Sequence, residues 1–275
     1  MTDFLENSFS LNNNISISNK IKKIPFFFNY FNPIDHFKNL DNKYKVLPNT
    51  GSKSNIIQGR IKYKIINYMD NDFQLFMFTS NNFLISLYHI FFSLQILNNN
   101  NIVFVINNNP TTNSHNTFPC LNDFSYSFNF SIINSNNIKL FFPISLLENK
   151  YIPFDVFIII FLINNNIDTF DTKYAKIITE QYTTSRENID KNKLLTILEY
   201  FNNHNHNKII NYLLQFKHTW SYYSFCYYFI CNYNQLLSDN TSLLESFYLY
   251  INSGFNERNN DLINDINNIV FHIVK

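Results

Sequence analysis

The period of the hydrophobic pattern changes once along this 275-residue chain, near residues 165–172, and the change limits the folds open to it. Before that point most patterned segments place apolar side chains at every second position. After it the spacing is three or four. A period of two belongs to strands with one wet face, and a period near 3.6 to helices. The fold class expected is α+β: a β-rich α/β region (hairpin, helix, further strands) followed by an all-helical region.

In the first region, Ile61-Lys62-Tyr63-Lys64-Ile65 alternates apolar and basic residues. Met69-Asp70-Asn71-Asp72 supplies turn chemistry and Phe73–Thr79 a second strand, which predicts a hairpin. Ser80-Asn81-Asn82 provides capping residues for a mostly buried helix over Phe83–Leu97, with Ser86, His89 and Ser93 on one stripe. A short buried strand is predicted at Ile102–Ile106 and a polar loop over 107–120. Phe124–Ile132 and Ile138–Ile144 read as partner strands around an Asn/Ser turn, and Phe154–Ile163 as a doubly buried strand. Earlier, Pro25 and Pro33 frame an aromatic segment that reads as extended. The second region predicts helices at Lys173–Tyr182, Asp190–Phe201, Lys208–Phe216, Thr219–Leu237, Thr241–Asn252 and Asn260–Val274, with Gly254 as a C-terminal cap. The organisation expected is a mobile N-terminus (1–24), a β-rich α/β domain (25–168) and a helical domain (169–275). The order hairpin, helix, further strands resembles that of longin-like and related adaptor modules, a resemblance of element order.

Composition narrows the function. Asn (50), Ile (37), Phe (31) and Tyr (18) make about half the chain, and Gly is present three times. Residues with AT-rich codons are inflated, so Asn abundance reflects nucleotide bias and is no functional signal. Three glycines leave little for a glycine-rich nucleotide loop. Thr50-Gly51-Ser52-Lys53-Ser54 is similar to the end of a phosphate-binding loop, but Ser52 separates Gly51 from Lys53 and Val46 occupies the place of the first Gly. It reads as a lysine-bearing turn. A net charge of +1 disfavours a general nucleic-acid binder. Three cysteines cannot all pair, and Met1–Glu6 lacks the basic flank of a secretory signal, so a reducing cytosolic or nuclear address is expected. The apolar runs Phe83–Leu97 and Tyr151–Ile163 both fall short of the roughly 20 residues that span a bilayer.

Charge is segregated. Residues 20–64 carry ten basic and two acidic side chains, against five net negative charges over 65–172. Within that block Lys43, Lys45, Lys53, Arg60, Lys62 and Lys64 are the candidate docking patch for an acidic protein or an anionic lipid surface. RNA is disfavoured because arginine, the bidentate reader of phosphate, is nearly missing there. The helix over 219–237 is aromatic on nearly all sides. Part of it belongs in a core, and Trp220, Tyr222, Tyr223, Tyr227 and Tyr228 are the candidate partner interface.

Candidate chemistry is sparse. His204 and His206 lack further ligands at useful spacing. Cys226 and Cys231 share a helix with His218, but a five-residue step turns them about 140° apart, so they read as buried thiols. His115 and Cys120 form a conceivable nucleophile pair without a second signature. His89 reads as a satisfied core or edge histidine. Glu148, Asp155, Asp168 and Asp171 are the carboxylates near predicted strand ends; Asp155, inside an apolar run, is expected to face solvent, pair with a lysine or cap a backbone group. No catalytic, cofactor-binding or metal site is predicted, and no cofactor is implied. The expectation is a non-catalytic subunit or adaptor of a cytosolic multiprotein assembly. The rival readings are an enzyme using a Cys/His or carboxylate pair and a component of an RNA–protein assembly.

Overall fold

The structure is a computed structural model and describes residues 13–39, 54–58, 61–67, 83–106, 111–113, 119–134 and 137–258, with positions 264, 267–269 and 272 further on. It is α+β, with short strands in the N-terminal half and mostly helices in the C-terminal half. The chain divides into two compact units, Met1–Phe128 and Asn129–Lys275.

In the first unit, residues 13–21 form a helix, α1. This segment lies in the stretch expected to be mobile. Ile15, Ile17 and Ile21, spaced through Asn and Ser, are its only apolar signal, yet Ile17 and Ile21 are buried, as is Ile24 just beyond. Asn13 Nδ2 and Asn14 Nδ2 tie α1 to the 125–127 turn, donating to the carbonyl of Ser125 at 3.1 Å and to its Oγ at 3.1 Å respectively. Beyond it, β1 (Phe31–Asn32) pairs parallel with β7 (Pro119–Asn122), which pairs antiparallel with β6 (Thr111–Asn113). A second sheet has the order β2-β4-β3, from Ile34–Asn39, Ile61–Asn67 and Ser54–Gln58, all antiparallel. The strand expected at Ile61–Ile65 is therefore present, but its partners are β2 and β3. The partner expected at Phe73–Thr79 lies outside the described residues. Helix α2 (Phe83–Asn99) packs on β7 and on β5 (Ile102–Val103). Phe31, Phe104 and Phe124 close this core with edge-to-face ring contacts.

Two strand assignments are overturned. Phe124–Ile132 is extended only at β8 (Phe128–Asn129), and Ile138–Leu140 is one 3-10 turn. The small polar residues that alternate with the aromatics take the backbone donors for themselves. Asp123 Oδ1 accepts from Ser125 N, Asn129 Oδ1 from Ser131 N, and Asn134 Oδ1 from Asn137 N. Such local bonds compete with a strand ladder. Phe154–Ile163 is likewise not a strand but helix α3 (Phe154–Asn164). A continuous apolar run has no period to reveal its state; its length favours a helix, and Ile and Val mislead. The order hairpin, helix, further strands holds as β3 and β4, α2, then β5 to β8, but these strands divide among separate sheets.

The second unit is built on α3 and α7 (Trp220–Ser238), helices that lack a polar face and so must be enclosed. Every residue from 151 to 162 and from 219 to 230 is buried. Around them lie α4 (Thr172–Thr183), α5 (Lys191–Glu199), α6 (His206–Leu213) and α8 (Thr241–Asn252), close to their predicted bounds. Asp171, Asp190 and Asn205 cap α4, α5 and α6 by accepting backbone N–H bonds. Gly254 is not the predicted cap: α8 ends at Ser253, and the Gly254 N–H donates to Glu257 Oε2 at 2.7 Å. The boundary expected near 168 falls inside this unit. Residues 168–170 are stitched to 203–206 by His206 N to Asp168 O, Phe170 N to His204 O and Asn203 N to Phe170 O, each 2.8–2.9 Å.

Asp155, in the first turn of α3, is fully buried and bound to the equally buried Arg258. The guanidinium lies 5.1 Å from the Tyr223 ring centre and 5.4 Å from that of Phe255. The carboxylate neither faces solvent nor meets a lysine; its partner is the one long cation that reaches it through aromatic packing. Removing one charge from such a pair leaves the other buried and unpaired. Asp155→Ala should cost about 3–5 kcal/mol in chemical denaturation, whereas Asp155→Leu combined with Arg258→Met should lose far less. Equal losses would show that the pair is not what the site responds to.

Candidate functional site

The solvent side of α2 is the least expected surface of the molecule. The helix has no charged residue, and Gln95 and Asn99 are the polar side chains classed as exposed on it. Ile85 (41%) and Phe92 (40%) are exposed, and Tyr88 and His89 are half-buried between them. Their spacing of three, four and seven puts them on one stripe. Tyr88 and Phe92 stack at 6.4 Å, and Tyr30 packs on both Phe92 (5.7 Å) and His89 (5.1 Å, nearly parallel). His89 Nε2 lies 3.1 Å from the Asn29 carbonyl and donates to it in the tautomer protonated there. Burial lowers the His89 pKa, which keeps the ring neutral at physiological pH. His89 is thus a satisfied edge histidine, and it pins the 26–30 segment to the helix.

That segment carries Phe26, 70% exposed, and Phe28, 42% exposed. Phe26 has a left-handed backbone (φ 56°). The other non-glycine residues with positive φ among those described are Asn101, Asp123, Asn166, Asn188 and Asn203, the types that tolerate it. A phenylalanine there costs about 1–2 kcal/mol relative to an ordinary backbone. Lys20, Lys22 and Lys23 precede the turn, Lys23 being exposed, and no Asp or Glu occurs between residues 7 and 34. The face is aromatic, rimmed by cations and free of carboxylates in its own segments. The sequence marks these aromatics only as an extended segment, because in a chain so rich in Phe an exposed ring looks like a buried one. The signal that marks them is the carboxylate-free stretch leading into Pro25.

Of the basic patch, Lys43, Lys45, Lys53 and Arg60 lie outside the described residues. Lys62 and Lys64 stand on β4, two residues apart and so on one face of the strand. Lys64 is the register partner of Lys38 on β2 and of Asn55 on β3.

The aromatic residues of α7 lie elsewhere than expected. Trp220, Tyr222, Tyr223, Tyr227 and Tyr228 are all buried, the most exposed being Tyr228 at 8%. Their hydroxyls are spent inside the unit. Tyr223 and Tyr182 share a hydrogen bond of 2.8 Å, Tyr182 donates to the Ile152 carbonyl at 3.0 Å, and Tyr227 donates to that of Glu187 at 3.2 Å. Burial raises the pKa of Tyr182, Tyr223, Tyr227 and Tyr228. Only from Cys231 onward, around the non-helical backbone of Tyr233, does α7 become largely exposed.

The remaining candidates are not brought together. Cys120 is fully buried, its Sγ donating to the Phe28 carbonyl at 3.7 Å, and His115 lies outside the described residues. Cys226 is buried as expected, but Cys231 is exposed. Asp171 is the α4 cap, its carboxyl held below the usual range first by the Lys173 N–H. His206 Nδ1 lies 4.0 Å from the exposed Asp168 Oδ1, beside a cavity of about 120 Å³ lined by Leu162, Ile167 and Ile210. Among the described residues no three His, Cys, Asp or Glu gather to hold a metal. Nor is any helix among them long and apolar enough to cross a membrane.

A thiol probe on the native protein should label Cys231 and spare Cys120 and Cys226, with all three reacting after unfolding. Burial raises the Cys231 pKa, so this labelling should be slow at neutral pH and accelerate as pH rises. Rapid native labelling of Cys120 would reopen the nucleophile reading. The buried tyrosines give a second test. Their folded pKa values lie above the unfolded value near 10, so stability is full below about pH 10 and is lost as pH climbs beyond it. Phenolate absorbance should therefore rise in two phases, the later one coinciding with loss of tertiary structure.

Comparison of the chain with protein-family models, with curated proteins and with solved structures gave no match in any of the three, so the geometry alone carries the functional reading.

Proposed function

We propose that the protein is a non-catalytic subunit or adaptor of a cytoplasmic assembly, and that its first unit is the interaction module. The observation that carries this reading is the outer face of α2 with Phe26 and Phe28. Large apolar rings remain in water there, one of them on a left-handed backbone that elsewhere among the described residues falls to Asn or Asp. Contiguous exposed apolar surface with a polar rim is the mark of an interaction site. Two further placements agree with it. The most unusual carboxylate, Asp155, is committed to a buried ion pair, and the thiol of Cys120 is committed to a backbone carbonyl. Lys38 and Lys64, held in register across β2 and β4, add basic positions to the same unit.

The test is the size at which the chain travels in gently lysed cells. A tagged copy at native level should run well above the size of the lone chain. Ile85→Ser combined with Phe92→Ser, at positions already in water, should return it to that size without loss of thermal stability. Wild-type protein that runs alone would refute the proposal.

A further inference from the structure

Taking that face as an interaction site, we infer that its partner is an anionic membrane surface, reached by shallow insertion of the Phe26 turn.

Four observations choose a bilayer over a protein. The rings of Phe26 and Phe28 stand out from a turn, so the site is a protrusion that needs no matching pocket. A bilayer accepts such a protrusion at any point of its surface, whereas a protein must supply a shaped cavity for it. Tyr30 and Tyr88, half-buried around the rings, have apolar bodies and hydroxyl tips, the combination suited to the boundary between acyl chains and headgroups. Lys23, three residues before Phe26, is exposed, so that its ammonium group meets headgroup phosphates while the rings go deeper. Finally, the face is of one sign. Residues 7–34 hold no carboxylate and α2 holds no charge at all, so nothing in these segments repels an anionic surface.

The backbone at Phe26 supports the same conclusion. Wherever else the described chain adopts positive φ without glycine, it uses Asn or Asp, and Asn is its commonest residue. At position 26 the strain is accepted and a fully protruding aromatic ring is gained. That exchange makes sense if the ring is needed outside the protein.

The experiment uses the purified full chain with vesicles of phosphatidylcholine alone and of phosphatidylcholine with about one third phosphatidylserine, a negatively charged surface of the kind basic residues recognise. Co-sedimentation should occur with the anionic vesicles, fail with the neutral ones and weaken as salt is raised. Phe26→Asn should melt no lower than wild type, because Asn suits the left-handed backbone, yet lose vesicle binding. Lys23→Glu should lower partitioning about five-fold or more, the contribution of one surface lysine. Equal binding by wild type and Phe26→Asn would overturn the inference, as would no binding to anionic vesicles. In the latter case, a large cellular particle dispersed by the Ile85 and Phe92 changes would assign the face to a protein and leave the adaptor reading intact. Absence of both would remove the two together.

Discussion

The ion pair of Asp155 and Arg258 is the constraint around which the second unit is arranged. An apolar helix such as α3 can be enclosed in many rotations and registers, because its sides are chemically alike. One carboxylate in its first turn removes that freedom. The charge must meet a cation without leaving the core, and Arg258, 103 residues away, can do so only if the turn after α8 closes over α3 and α7. Replacing such a pair with apolar residues often leaves stability unchanged or higher, so its contribution here is to specify one packing. Arg186 repeats the device at the other end of α4. It is buried over Tyr182 and bonds the carbonyls of Asn149, Lys150 and Tyr182. Two of the three arginines in the chain thus serve the interior, and neither is open to phosphate.

Helices α4, α5, α6 and α8 were legible because each has a wet face, so its period shows, and because Asp171, Asp190 and Asn205 announce the starts of the first three. Helix α3 was not legible for the opposite reason: with both sides buried, its sequence from Val156 to Ile163 is Val, Phe, Ile and Leu without a polar residue. The strands expected between 124 and 144 failed because alternation alone does not make a ladder when Ser, Asn and Asp side chains can bond the backbone they belong to. At the candidate site, the aromatic and basic residues were readable as a group. Which rings face water was not, since hydropathy does not distinguish the buried Tyr222 from the exposed Phe26.

Asparagine, set aside as nucleotide bias in function, has a clear structural use. Asn100, Asn164, Asn165, Asn232 and Asn252 each donate a side-chain N–H to the carbonyl four residues earlier. Four of these stand at or just beyond a helix end, where carbonyls lack intrahelical partners. Asn101, Asn166, Asn188 and Asn203 then turn the chain through positive φ, a task that usually falls to glycine. A chain with three glycines can therefore still end its helices sharply.

The burial of Trp220 has a practical consequence. It is the one tryptophan in the chain, enclosed in the second unit with its indole edge-on to Phe142 at 6.1 Å. The protein is thus optically labelled on one of its two units. A red shift in indole emission dates the opening of the helical unit alone. Any loss of far-ultraviolet ellipticity that occurs at a different denaturant concentration belongs to the other unit, so the two stabilities can be separated in one titration of the unmodified chain.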